Sequence, residues 1–448
     1  MNKITAKLFA AVLASAVSLG SAQSVGAYAK KTDKGSDLKI TASDIAAGKK
    51  TNIKGKTLKW MGFYDLNPTK DNPERDLPVA LFEDVYGAKI KYMPTTYSNQ
   101  FDDLAVSIIG GNSPDIFSFS ERTFPYDINR GMFQPIDSVV DWKAPMWAEV
   151  KDQADMFKWK GKHYVAPYGY SANDFQLLMY NRSELKRLGI KDPYKLYKEG
   201  KWDWNTFTKM MNRFTEKKGD GSYGIGGWWA NALVYSSGDP IVKYNGKSFK
   251  NNINSPSVKK AQAVIENIKE NDMAKQGWIS PMDAFADGDL LFYSMGAWAF
   301  DSAAAGVPDD EVFLVPFPKK PGSDTYYMRK SILSYMWVKG SKNADAVKAW
   351  FNVNRFVFYD DRCVQAEKEK FLKNYPNWSE EAYDVLLSCY DDDKLKFAYD
   401  YGYGLSDYMN STVMPDLYEG IANDMFESWQ QAKEEYSSIV ASEIEAYN

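Results

Sequence analysis

Residues 159–214 read WKGKHYVAPYGYSANDFQLLMYNRSELKRLGIKDPYKLYKEGKWDWNTFTKMMNRF. Gly161 and Lys162 predict a tight turn between two short extended runs, and Pro167 keeps Ala166 extended, so the chain leaves this hairpin as a crossover. The run 175–181 is apolar enough for a strand buried on both faces. Ser183 is placed to cap a short helix whose Leu185 and Leu188 point one way and which Gly189 stops. After a polar loop, Asp203 is placed to cap a second helix with Trp204, Phe207, Met210, Met211 and Phe214 on one stripe.

Toward the N-terminus the same grammar repeats. Residues 57–62 predict a first strand, 76–86 a helix ended by Gly87, and 88–93 a second strand. A helix carrying Phe101, Leu104, Ala105, Ile108 and Ile109 stops at Gly110-Gly111, and 113–119 give a third strand. Strand, helix, strand, helix, strand at these lengths argues for parallel βαβ units in a doubly wound sheet. In such sheets ligands lie beyond the carboxyl ends of the strands, which here places Tyr64 and Asp65 after the first strand and Ser120 and Glu121 after the third.

Toward the C-terminus, the glycine-rich run 217–224 has a single Asp and no closing glutamate, so it is a turn rather than a calcium loop. Trp228 and Trp229 are adjacent, and at most one of them can face a ligand while the other packs inward. Ser255-Pro256 caps a helix bearing Val258, Ala261, Val264, Ile265 and Ile268. Residues 290–295 predict a strand that turns at Gly296 into a helix beginning with Trp298 and Asp301.

Several of these stretches resemble the extracellular solute-binding proteins of family 1, the sugar-capturing components of ABC importers, which include the maltose-binding type. The order Gly161-Lys162-x-Tyr164-x-x-Pro167, the strand ending Tyr180-Asn181, Leu188-Gly189-Ile190-x-x-Pro193 and Trp204-x-x-Phe207 fits that family. So do SPDIF (113–117) with GMFQPIDSVVD (131–141), FADGDLLFYSMGAW (285–298), VPFPKKPG (315–322) and KNADAVKAWF (342–351), with Asp289 and Ala344 departing from its usual residues. The resemblance covers nearly all of the chain beyond its N-terminal leader. It implies an α/β fold of two periplasmic-binding-protein-like (type II-like) lobes, each a mainly parallel sheet flanked by helices, with a helical C-terminal part and hinge crossovers near 166 and 318. The implied division is 1–29 signal peptide, 30–56 polar leader, 57–166 plus 319–372 first lobe, and 167–318 plus 373–448 second lobe.

The function implied is capture of a carbohydrate, an oligosaccharide by expectation, between two hinged lobes and delivery to a membrane permease. The expected ligand contacts are Tyr64, Asp65, Ser120, Glu121, Tyr170, Trp228, Trp229, Trp298, Asp301 and Arg329. Trp298 leads, because the family uses this position. Aromatic residues make up 15% of the chain, and flat amphipathic rings suit sugar faces. No cofactor or metal is implied, and a monomer is expected.

Lys3 and Lys7, the apolar run 8–19 and Ala27-Tyr28-Ala29 predict a signal peptide cut near Ala29, too short in its apolar part to span a bilayer. No cysteine stands at the cleavage site, so a periplasmic or extracellular protein without a lipid anchor is expected. Cleavage would take the net charge from −4 to −6, with no basic run, which argues against a nucleic-acid partner. Cys363 and Cys389, the two cysteines, are open to either a disulfide or buried free thiols. The competing readings are a binding protein for a peptide or organic anion, for which only Arg122 and Arg329 lie near the proposed loops, and a glycan-active enzyme using paired carboxylates. His163 is the single histidine and is expected at the exposed tip of its hairpin. A single histidine in that position argues against a histidine-dependent nucleophile and a multi-histidine metal site, and no nucleophile elbow, P-loop or dinucleotide fingerprint is present.

Overall fold

The computed structural model describes residues 27–28, 38–46, 52–70, 75–170, 176–305, 307, 311–329, 331–391 and 394–448. The apolar leader 8–19 and parts of the polar leader lie outside them. The chain forms two compact units, Met1–Ser171 with Ile332–Asn374, and Ala172–Ser331 with Tyr375–Asn448.

The first unit is built on a six-stranded sheet. Thr57–Gly62 pairs in parallel with Lys89–Pro94 and with Ile116–Ser118. Ile332–Val338 runs against Ile116–Ser118, Phe133–Gln134 and Ala166–Tyr170. Five strands thus share one direction, and the reversed strand is the first one laid down after the chain returns from the other unit. Trp60, Leu58, Phe82, Ile116, Trp350 and Phe351 fill its core, with Phe82 edge-on to Trp350 at 5.3 Å between centroids. Part of the 30–56 segment is not a loose leader. Thr41 caps the short helix Ala42–Ile45 in a capping box with Asp44, and Ile40, Ile45 and Ile53 are buried in this core. Three isoleucines offer apolar area that outweighs the lysines around them.

The second unit repeats the plan. In its sheet, Ala274–Lys275, Tyr223–Gly227 and Leu290–Gly296 are parallel. Gln176–Asn181 runs against Leu290–Gly296 and Val312–Val315, and is again the first strand after the crossover. Leu177, Leu178, Met179 and Tyr180 are all buried, as a strand covered on both faces requires. Asp203 caps Trp204–Lys218 by accepting from the Thr206 N–H at 2.8 Å, and Trp204, Phe207, Met210, Met211 and Phe214 are buried. Each such side chain contributes about 1.5–3 kcal/mol. Asn181 rather than Ser183 caps Arg182–Arg187, accepting from the Glu184 N–H.

Residues 319–331, expected with the first lobe, belong to the second unit. Tyr326–Met328 pairs in parallel with Leu395–Phe397, and the Trp204 N–H donates to the Lys319 carbonyl at 3.0 Å. Ala166–Tyr170, in contrast, stays with the first unit through its pairing to Ile332–Val338. Cys363 and Cys389 are buried thiols not joined in a disulfide, one in each unit, and burial pushes the Cys363 thiol up to about 12.

His163 is not exposed. The turn of its hairpin falls on Lys160 and Gly161, both with positive φ, and His163 is only 4% accessible. Its ring nitrogens lie 2.6 Å from Asp137 Oδ1 and 2.7 Å from Asp155 Oδ1, with the Trp142 ring centroid 4.7 Å away. Burial raises the Asp137 and Asp155 pKa values, but hydrogen bonds from His163, and from Lys151 to Asp155, outweigh it and lower both.

Asp400 in the second unit goes the other way. It is fully buried and its pKa is pushed up to about 6 by that burial, against hydrogen bonds from Tyr418 and three backbone N–H groups. Lowered carboxylates stabilise above their unfolded value, near 4, and lose that contribution as pH falls through the folded value. A raised carboxylate does the reverse, and its contribution declines as pH rises from about 4 to 6. Acidification from pH 6 to 4 is therefore expected to increase amide-exchange protection around Val242 and Gly402, whereas protection around Asp137 and His163 falls only below about pH 4. Hydrogen exchange read by mass spectrometry, corrected for intrinsic rates, checks this. Loss of protection at Val242 between pH 6 and 4 would refute it.

Candidate functional site

The carboxyl ends of the strands gather most of the residues singled out by sequence. In the first unit, Tyr64 follows Thr57–Gly62. Its ring lies 5.5 Å from Trp60 and 5.2 Å from Phe63, and its carbonyl accepts from Trp60 Nε1 at 3.0 Å. Burial raises the Tyr64 hydroxyl, opposed by a hydrogen bond with Ser118. Asp65 accepts from the Asn67 N–H and amide at 2.9 and 2.8 Å, so much of its hydrogen-bonding capacity serves its own turn. Ser120 precedes the 3₁₀ turn Glu121–Thr123, and its Oγ is buried without a protein partner. Tyr170 ends Ala166–Tyr170 opposite Ile332, also at the carboxyl end of its strand.

In the second unit, Ser294 stands opposite Gly227, and Gly296 opposite Gln176. This register brings Trp228, Trp298 and Gln176 to one end of the sheet. The backbone of Trp228 is fixed by its N–H donating to the Ser294 carbonyl at 2.7 Å and by its own carbonyl accepting from Ser294 Oγ at 2.8 Å. Gly227 makes the approach feasible. It has φ +85, and a Cβ there would sit 2.2 Å from the Ser294 carbonyl oxygen, so only glycine fits. The chain then splits the tryptophan pair. Trp229 is 5% accessible at the start of helix Ala230–Tyr235, and Trp228 is 38% accessible.

The Trp228 indole N–H donates to Glu419 Oε1, at the end of helix Met414–Glu419. Burial raises the Glu419 pKa, with the Trp228 hydrogen bond, the Arg329 charge and the Asn423 side chain opposing. Arg329 lies over the Tyr235 and Tyr403 rings, at 5.8 and 5.7 Å. Trp298 sits half-buried in the 3₁₀ turn Ala297–Ala299. Its side chain has no ring or hydrogen-bond partner among the described residues. Asp301 behaves differently, since its Oδ1 accepts from the Asn377 N–H at 3.1 Å and its carbonyl accepts from the Asn377 amide. It joins two segments of its own unit.

Glu419 had no signal in the sequence. It stands 191 positions from Trp228, in a helix whose pattern reads as ordinary core. Among the described residues no group of three or more His, Cys, Asp or Glu side chains is placed to hold a metal ion. No described helix is long and apolar enough to cross a membrane. What this sheet end offers is an exposed indole face beside carboxylate, amide and guanidinium groups.

Two units, each a sheet with one reversed strand flanked by helices, define the fold of two-lobed periplasmic binding proteins. Residues 79–354 match the family described as bacterial extracellular solute-binding protein, and the chain belongs to that family. The structure is similar to the GacH receptor of Streptomyces glaucescens GLA.O, studied unliganded and with acarbose, at 16% identity and a TM-score of 0.60 over 88% of this chain and 100% of that one. It is also similar to an ABC substrate-binding protein from Listeria monocytogenes in complex with cycloalternan, at 17% identity and a TM-score of 0.59 over 87% and 99% of the two chains. The sugar-binding protein MalE from Xanthomonas citri gives 15%, 0.62, 87% and 98% in the same order. At these identities the likeness concerns the fold. No curated protein matches the sequence.

Proposed function

We propose that this solute-binding protein captures a carbohydrate and hands it to the permease of an ABC importer, acting as a monomer and by binding rather than turnover. The observation that carries this reading is the exposed Trp228 ring, tethered by Glu419 at the same sheet end as the half-buried Trp298. A sugar presents C–H groups on its faces and hydroxyls at its edge, so it needs flat apolar platforms with polar groups beside them. The reported sugar complexes of proteins with this fold agree. A peptide or organic anion is less well served, because Arg329 already faces two tyrosine rings and the Glu419 carboxylate.

The expected result is a rise in thermal stability with an oligosaccharide such as maltotetraose, β-1,6-galactobiose or cycloalternan. Ligand at one hundred times its dissociation constant adds about 2.7 kcal/mol. Stabilisation by peptides or dicarboxylates in place of every sugar tried would overturn the proposal. The family is extracellular, and we further propose that export removes the leader near Ala29 without attaching a lipid. Intact mass of the protein secreted by its own host should begin at Lys30, and an added diacylglycerol or an uncut leader would contradict it.

A further inference from the structure

Charge in the second unit is unevenly placed. Between Arg182 and Lys218 eleven basic residues stand against five acidic ones, a balance of +6 in a chain whose whole carries −4. The basic residues are dispersed at helical intervals, so no run of sequence advertises them. Six of the eleven lie on helices Pro193–Lys198 and Trp204–Lys218. Both helices cover the same face of the second sheet. The Tyr194 ring lies 5.3 Å from Phe313 and the Phe207 ring 5.4 Å from Phe292, and these two phenylalanines flank Tyr180 at 6.1 and 6.4 Å. The helices therefore sit side by side in one layer.

What this layer turns outward is basic. With Trp204, Phe207, Met210, Met211 and Phe214 buried, Lys209, Arg213 and Lys217 fall at i, i+4 and i+8 on the opposite side and are exposed, as helical spacing requires. Lys195 and Lys198 are exposed on the neighbouring helix, and Lys186 just before it. Glu216 is the one acidic residue of the two helices. The other acids of the segment are committed. Glu184 pairs with Arg187 and Lys218 at 2.6 and 3.3 Å, and Glu199 with Lys191 and Lys201 at 2.9 and 3.1 Å, while Asp192 and Asp203 cap the two helices. Lys186, Lys195, Lys198, Lys209, Arg213 and Lys217 have no acidic partner among the described residues. Like charges four apart on a helix are mildly destabilising, so folding gives no reason for the stripe.

We propose that this face binds the anionic phospholipid surface of a membrane and holds the protein beside it. Two helices side by side present their cations in one layer, which a flat bed of lipid phosphates meets all at once. Each Lys or Arg near such a surface raises the partition about fivefold. The remaining residues sum to −10, since the whole is −4, so the rest of the molecule is repelled and contact is oriented through this face. Membership of an extracellular family puts lipid headgroups, rather than intracellular polyanions, within reach. The hold on the membrane is independent of which solute the protein carries.

Co-sedimentation of the chain, as its host secretes it, with vesicles of equal parts phosphatidylglycerol and phosphatidylcholine tests this. The protein should partition onto these vesicles at low salt and stay off pure phosphatidylcholine. Release is expected at about 1 M salt, where charges are screened beyond roughly 3 Å. Lys209→Gln, Arg213→Gln and Lys217→Gln combined should cut the partition about a hundredfold, at about fivefold per residue. Glutamine keeps the helix, and exposed sites change stability little. Lys247→Gln, Lys250→Gln and Lys260→Gln, exposed elsewhere in the same unit, remove the same charge and should reduce the partition by less than about fivefold. No partition onto the phosphatidylglycerol vesicles, equal binding to both kinds of vesicle, or equal losses in the two triple variants overturns the proposal. Capture on immobilised polyphosphate through the same stripe, with no hold on vesicles, would also overturn the membrane and identify a soluble phosphate polymer in its place.

Discussion

Replacing Trp228 by alanine should weaken sugar binding by roughly thirtyfold or more, about 2 kcal/mol, without unfolding the protein. A central aromatic anchor carries much of the energy of a sugar site, because its face removes C–H groups from water over a large area. Trp228 is 38% accessible, and truncating an exposed side chain typically changes stability by less than about 0.5 kcal/mol. The backbone bonds to Ser294 do not involve the ring and survive the change. Glu419→Ala should give a smaller loss, since the ring remains but nothing fixes its orientation. Trp298→Ala should match Trp228→Ala if both rings are platforms. Calorimetry on the three variants with the best ligand found separates these outcomes, and unchanged affinity in both tryptophan variants would move the site away from this sheet end.

Asp400→Ala should produce the largest stability loss, about 3–5 kcal/mol for the second unit. Its carboxylate accepts from the Ile241, Val242 and Gly402 N–H groups at 2.5, 3.1 and 2.9 Å and from the Tyr418 hydroxyl at 2.6 Å. Removing it strands four buried donors at once, each with a desolvation cost of about 1–3 kcal/mol, partly relieved by water entering the space. Asp400→Asn keeps the volume and two lone pairs, so a loss of about half is expected. Urea unfolding followed by tryptophan fluorescence measures both. A loss below about 1 kcal/mol for the alanine variant would mean that water replaces the carboxylate fully.

The features legible in the sequence are those whose physics is local. The Asp203 cap, the Trp204 to Phe214 stripe and the Ser255 cap depend on neighbours within a few residues, and they stand where their spacing puts them. The carboxyl-end position of Tyr64 and Ser120 follows from strand order alone. Even local turns slip by one, as with Lys160-Gly161, where two positive φ values are needed and only one glycine advertises them. The partners that tune the candidate site are a different matter. Glu419 meets Trp228 across most of the second unit, and Asp137 meets His163 across 26 positions. No periodicity records such pairings. The 319–331 segment was equally opaque, because its allegiance is decided by strand Leu395–Phe397, far along the chain.

The reversed strand of the first sheet also sets a clock. Ile332–Val338 is the partner that Ile116–Ser118, Phe133–Gln134 and Ala166–Tyr170 share. Until residue 338 has left the ribosome, none of these three has that neighbour. They end 168 to 220 residues before residue 338, so synthesis at about 5–20 residues per second makes the wait roughly 8 to 44 s. Throughout that interval the N-terminal portion is a sheet with a missing middle, unable to close its core around Trp350. For a chain of an extracellular family, a late-arriving central strand is expected to hold back tight folding of the N-terminal portion before export.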